Sequence, residues 1–293
     1  MSICFNRKEK RQLNDYFLWK RKRNTFFHYS FLSFYAIIVI FPIFWVLVNS
    51  LKDNQEIFQN PWALPNIYRW SNYIKAWYEG NIGSAFFNSV IVTIISVVIV
   101  GLVASMAAYS LSRLQFAGKK TIFYLFLGGM YVAPVTSLIP LLKLLRNLNL
   151  VNTHWGLIFP YVAFALPLSI FIIRSYMLGI PKTVEEAAIV DGVAPFQLFW
   201  KIMFPLSLPS VYTVVILQIV YIWNEFLFAL VFLRTSNKFT LPRALQVFQG
   251  SFITEFGPLN AAVLLAAIPT IIIYIIFSER IRNGMAIGFS SNE

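Results

Sequence analysis

VIVTIISVVIVGLVASMAAY, residues 90–109, is the stretch whose reading decides the fold. It carries no charge, and it lacks the apolar–polar alternation that a membrane barrel strand requires. Backbone groups in lipid must find their hydrogen bonds within the segment, so an apolar run of this length is a helix. The run lies inside an interval, 80–112, that holds no Lys, Arg, Asp or Glu. Five more intervals longer than twenty residues share that property: 24–51, 121–142, 147–173, 202–224 and 256–278. A helix needs roughly 20 mostly apolar residues to cross the hydrocarbon, so each interval has room for one span. The expectation is an all-α, polytopic membrane protein with six transmembrane helices.

Composition agrees with that reading. Of 293 residues, 58% are hydrophobic and 12% charged, against roughly 25% charge in an ordinary soluble domain. This argues against a soluble enzyme, a disordered chain and a nucleic-acid-binding domain. A single cysteine, Cys4, excludes an internal disulfide framework and a CxxC metal site, and His28 and His154 are too few for a His-rich centre. The first interval is a retained span rather than a cleaved signal: Phe27–Val48 is longer than a signal's apolar core, and no A-x-A-like site follows.

Orientation follows from Lys and Arg in the connections. With the N-terminus inside, the inner segments hold sixteen basic residues, eight of them in the tail that contains WKRKR (19–23), and the outer segments hold eight. Both termini are therefore expected in the cytoplasm of a bacterial inner membrane, and the basic tail reads as a flank that sets topology rather than a nucleic-acid site.

One inner connection is long and punctuated: RSYMLGIPKTVEEAAIVDGVAPFQLFWKIMFP, 174–205. Thr183 and Glu186 have capping-box spacing, Pro181 lies just upstream, and Gly192 stands where a left-handed residue ends a helix cheaply. The prediction is a short helix outside the membrane, Val184–Asp191, followed by a second one opened by Pro195. The bland reading is a surface connector. Against it stand the adjacent small residues Ala187 and Ala188 and the acidic group Glu185, Glu186 and Asp191 in a region otherwise basic. Such a helix suits a groove on a soluble partner.

At this point the chain resembles a known family. Permeases of bacterial ABC importers carry a cytoplasmic pattern of EAA, three residues, Gly, nine residues, Ile, one residue, Leu-Pro. Here Glu186-Ala187-Ala188, Gly192, Ile202 and Pro205 match at those intervals, with Phe204 in place of Leu. The similarity extends along most of the chain, toward carbohydrate permeases like the smaller one of the maltose system. It includes Asn49-Ser50-Leu51-Lys52, Pro61-Trp62-Ala63-Leu64-Pro65, the NYIKAW segment 72–77, Asn88-Ser89, AAYSLSR (107–113) and Trp223-Asn224-Glu225-Phe226. The tail GMAIGFSSNE (284–293) departs from the family's Gly-rich ending.

The resemblance implies a type I ABC importer permease that moves an oligosaccharide, neutral or acidic (uronate, alginate-like); the outer segments, with eight basic residues against four acidic ones (Asp53, Glu56, Glu79 and Glu255), lean slightly toward the acidic kind. Its implied partners are a second related permease, a dimeric cytoplasmic ATPase, an extracellular or periplasmic solute-binding protein and membrane lipid, with no nucleic acid. No cofactor is expected on this chain; ATP and Mg belong to the ATPase, consistent with the lack of a GxxxxGK[ST] loop here. The implied docking residues are Glu185, Glu186, Ala187, Ala188, Asp191 and Gly192, framed by Thr183, Ile202 and Pro205. The expected divisions are a basic tail 1–25, the first helix with its outer loop 26–83, a transport domain 84–278 with the EAA loop at about 178–205, and a tail 279–293.

Two readings from other classes compete. A membrane-embedded enzyme needs an acid–base pair, and Glu225 is the one ionisable residue well inside an expected span. An ion-coupled secondary transporter is the alternative, since a lone membrane carboxylate can bind a cation. Trp223, Asn224 and Glu225 are candidates for the translocation path, although for Glu225 a structural bond between helices is the favoured reading.

Overall fold

The computed structural model describes residues 7–249 and 254–289, so Cys4 and the last four residues of the tail lie outside the described part. Thirteen α-helices follow in order: α1 (Arg7–Ser50), α2 (Asn54–Gln59), α3 (Ser71–Glu79), α4 (Ile82–Arg113), α5 (Lys119–Gly129), α6 (Pro134–Asn147), α7 (Trp155–Leu178), α8 (Thr183–Val190), α9 (Pro195–Leu198), α10 (Phe204–Trp223), α11 (Leu227–Phe232), α12 (Leu241–Ala244) and α13 (Phe256–Phe289). The fold is all-α, as expected.

Among the described residues, four stretches are long and apolar enough to cross a membrane: His28–Ser50, Ile82–Arg113, Trp155–Leu178 and Phe196–Trp223. The third charge-free interval departs from expectation. It is a broken pair, α5 and α6, bent by 102°, and it makes a fifth span only if the two halves are counted together. The break has a local cause. Proline disfavours helical geometry in the residue before it, and Ala133, just ahead of Pro134, is extended (φ −70°, ψ 132°). The sixth interval falls in α13, whose described apolar part is Phe256–Ile272.

Helices α4, α7 and α10 form the centre. On α4, Gly101, Ala104, Ser105 and Ala108 recur at helical spacing and are all buried. A stripe of small residues lets helix backbones approach closely, which is how helices associate where lipid gives them no hydrophobic drive. Helix α1 is the opposite case: its apolar window is 6% buried within this chain.

The family-like residues outside the span region knit one end of the molecule. Asn72 donates to the carbonyls of Ser50 and Lys52, both at 2.8 Å, so it closes the end of α1. Gly257 packs against the same point, where a Cβ would fall 2.4 Å from the Lys52 carbonyl. Lys52 is fully buried and its ammonium donates to the Asn60 carbonyl at 3.0 Å. Burial lowers its pKa, an effect that nearby Glu56 partly opposes. Asn88 donates to the carbonyls of Asn237 and Phe239, and Ser89 accepts from the Leu241 amide at 2.7 Å. The start of α4 thereby holds the segment that leads into α12.

Candidate functional site

Helix α8 forms where the sequence places it, but it starts by another device. Thr183 is its first residue rather than its cap, and no side chain closes the N-terminus. Lys182 is already helical, so its carbonyl accepts from Glu185 and Glu186 at 2.9 and 3.0 Å. With the first turn begun at Pro181 and Lys182, the expected Thr183–Glu186 capping box does not form. The acidic residues in the first turn still favour the positive end of the helix dipole.

The C-terminus follows the expectation closely. Gly192 is left-handed at φ 77°. Its amide donates to the Ile189 carbonyl at 3.0 Å, and the Val193 amide reaches back to the Ala188 carbonyl at 3.1 Å. This is the paired arrangement of a Schellman ending. A side chain at 192 would meet nothing within 4 Å, so the backbone geometry, not crowding, selects glycine here.

The six expected docking residues divide between two faces. Ala188 is buried in the inner core with Met177 and Leu198. Glu185 also turns inward: its carboxylate pairs with Arg113 Nε at 2.6 Å, with side chains 14% and 5% exposed. Neither residue offers its side chain to an outside partner, because the body of the chain already occupies it. Glu186, Ala187, Asp191 and Gly192 are exposed. So are three apolar side chains that the sequence reading passed over: Ile189 at 60%, Val190 at 86% and Phe196 at 70%. Their signal was available, since helical phase alone puts Val190 beside Glu186.

Beyond α9 the chain runs through a single wide π turn, Phe199–Met203, that contains Ile202. Pro205, in the first turn of α10, has no N–H with which to continue a regular ladder into that turn. Phe204, the departure from the family pattern, packs its ring against Phe199 and Trp200 at 5.8 and 5.4 Å.

Of the three path candidates, Trp223 ends α10, while Asn224 and Glu225 lie in the short connection to α11. Trp223 is buried edge-on against Phe86, 5.9 Å between centroids. Asn224 folds back onto the Val220 carbonyl. Glu225 accepts from the Tyr161 hydroxyl at 2.6 Å and from the amides of Phe228 and Ala229 at 2.8 and 3.4 Å. None of the three lines the cavity of about 410 Å³ that opens beside the α5–α6 break. Its wall includes Met130, Phe164, Leu168, Leu217, Gln218 and Tyr221. Gln218 and Tyr221 escaped the sequence reading because a search for ionisable groups passes over an amide and a phenol.

An all-helical body with several apolar spans defines the class of multi-pass membrane proteins. The chain belongs to the family of binding-protein-dependent transport system inner membrane components, whose model matches residues 17–282. It is 40% identical over 258 residues to the probable ABC transporter permease protein YurM of Bacillus subtilis, covering 88% of this chain and 86% of that one. It is 35% identical to the diacetylchitobiose uptake system permease protein NgcG of Streptomyces coelicolor, covering 89% and 87%. Its fold matches a chain of a bacterial ABC transporter involved in import of the acidic polysaccharide alginate, with a TM-score of 0.75, 21% identity, and 95% and 99% of the two chains covered. Family membership sets aside the enzyme and the ion-coupled carrier.

Proposed function

We propose that this chain is one of two permeases of an ATP-driven importer and that α8 docks it to a separate cytoplasmic ATPase. The observation that carries the reading is the exposed face of α8, which bears Ile189, Val190 and Glu186 and ends at the exposed Asp191, with Phe196 also exposed on α9. In this reading α8 stands clear of the bilayer, and apolar side chains exposed there mark a protein contact. In this reading both termini are cytoplasmic, and movement of α8 opens and closes the path between the permeases. An external binding protein delivers the cargo.

The cargo in this proposal is a neutral oligosaccharide. Among the relatives are permeases named for diacetylchitobiose and for arabinooligosaccharides. The cavity wall supplies an amide, a phenol and apolar groups but no cation. A uronate's carboxylates would need partners in such a site. The positive balance of the outer segments acts on encounter at the surface, not on the cavity.

The test uses the full complex reconstituted with its binding protein. Val190→Asp and Glu186→Lys are expected to leave the permease inserted and to abolish co-purification of the ATPase. Neutral oligosaccharides are expected to stimulate ATP hydrolysis where uronate oligomers of equal length do not. Normal co-purification in both variants overturns the docking face. Stimulation by uronates alone overturns the cargo and leaves the docking standing.

A further inference from the structure

Two residues that face away from the docking surface connect it to the rest of the molecule. Arg113 closes the last turn of α4. Its Nε lies 2.6 Å from the Glu185 carboxylate, an ion contact without hydrogen-bond alignment, and its Nη2 donates to the carbonyls of Met177 and Ile180, both at 2.6 Å. One planar group thus holds three elements together: the end of α4, the end of α7, and the first turn of α8. The site is largely closed to water, with 5% and 14% of the two side chains exposed. Screening by salt is weak at such depth, and an arginine fork is suited to several fixed acceptors at once.

The surrounding contacts reinforce the same junction. Arg174 of α7 donates to the Leu111 carbonyl at 3.1 Å, and its guanidinium lies 4.0 Å from the centre of the Phe123 ring. Lys119 donates to the carbonyls of Ser112 and Leu114. Burial lowers the pKa of Lys119, and three nearby cations, Arg174, Arg113 and Lys182, lower it further. Glu185 is the carboxylate paired among them. By contrast, α8 reaches α10 through α9 and the π turn Phe199–Met203. Such turns are wide, irregular and over-represented at functional sites.

We infer that Glu185 is a positioning residue that locks α8 to α4 and α7 through Arg113, so that these three helices move as one body while α10 follows through the π turn. The inference rests on the docking proposal, since it concerns what a displaced α8 carries with it. It differs from motion passed only along the chain to the two helices that flank α8, because α4 is remote in sequence and joins by side chains.

The test measures distances between paired spin labels in the full complex, with Cys4→Ser and the other subunits' cysteines replaced. Labels at Lys182→Cys and Met106→Cys report α8 against α4; labels at Lys182→Cys and Val220→Cys report α8 against α10. Between the resting complex and the complex trapped with ADP and vanadate, the first distance is expected to hold and the second to shift. In Glu185→Gln, which keeps the shape of the side chain, the first distance is expected to shift on trapping as well. A native 182–106 distance that shifts as far as the 182–220 distance overturns the inference, and so does a Glu185→Gln complex that behaves as native. Loss of the ATPase from the unmutated complex would instead refute the docking proposal, so the two failures are separable.

Discussion

Replacing Glu225 distinguishes a structural carboxylate from one on the transport path. Three donors converge on it: the Tyr161 hydroxyl and the amides of Phe228 and Ala229, all from residues at most 1% exposed. Glu225→Ala strands all three, and each buried group left unpaired costs about 1–3 kcal/mol, for a total on the order of 4 kcal/mol. Tyr161→Phe removes one bond to a charged acceptor, worth about 2 kcal/mol. Glu225→Gln keeps an oxygen for the Phe228 amide and offers its NH₂ to the tyrosine oxygen, but the long Ala229 contact is lost and the Tyr161 bond is reversed onto a neutral partner, at about 1–2 kcal/mol. Thermal loss of the monodisperse complex in detergent should therefore rank native first, then Glu225→Gln and Tyr161→Phe together, then Glu225→Ala. Tyr161→Phe should cost almost nothing in the Glu225→Ala background, giving a coupling of about 2 kcal/mol. The reasoning fails if Glu225→Gln melts like the native complex but transports nothing, because the carboxylate would then act on cargo.

Two further outcomes are expected. Gly192→Ala places a Cβ at φ 77° with nothing within 4 Å, so the penalty is conformational, about 1–2 kcal/mol. It should loosen the end of α8 and weaken ATPase retention, and Gly192→Asn should do so less; equal retention in all three proteins would contradict the account. For orientation, single cysteines at 79, 117, 190 and 236, all exposed positions, should react with an impermeant thiol reagent from outside only at 79 and 236.

The limits of sequence reading fall at particular residues. Charge-free intervals located the apolar helices because removing ionised groups from lipid is a composition rule that needs no tertiary knowledge. The bend at 130–133 was missed because counting charges ignores geometry, although Pro134 and the pair Gly128-Gly129 stood in plain view. The end of α8 was legible, since Gly192 answers to local backbone sterics. Its beginning was not, because Lys182 and Thr183 are both compatible with the first turn and spacing cannot choose between them. The direction of Glu185 was beyond reach for a deeper reason: it depends on Arg113, which only the packing of α4 against α7 brings alongside.

That packing also separates the pattern residues into two kinds. Ala188 is small because it sits against the core beside Met177 and Leu198. Gly192 is glycine because of its positive φ. Ile202 lies within the π turn, and Pro205 stops that turn from closing into regular helix. Each of these has a sufficient reason inside the chain. Glu186 and Ala187 do not: both are exposed, and the helix dipole gives a surface carboxylate only about 0.3–1 kcal/mol. A small residue and an acid that the chain does not need for itself, beside Ile189 and Val190 left open to solvent, are what a contact with another protein would demand. Glu185 belongs with the first kind despite its neighbour's identity, so two adjacent glutamates face opposite ways, one holding the helix to the membrane body and one presented outward.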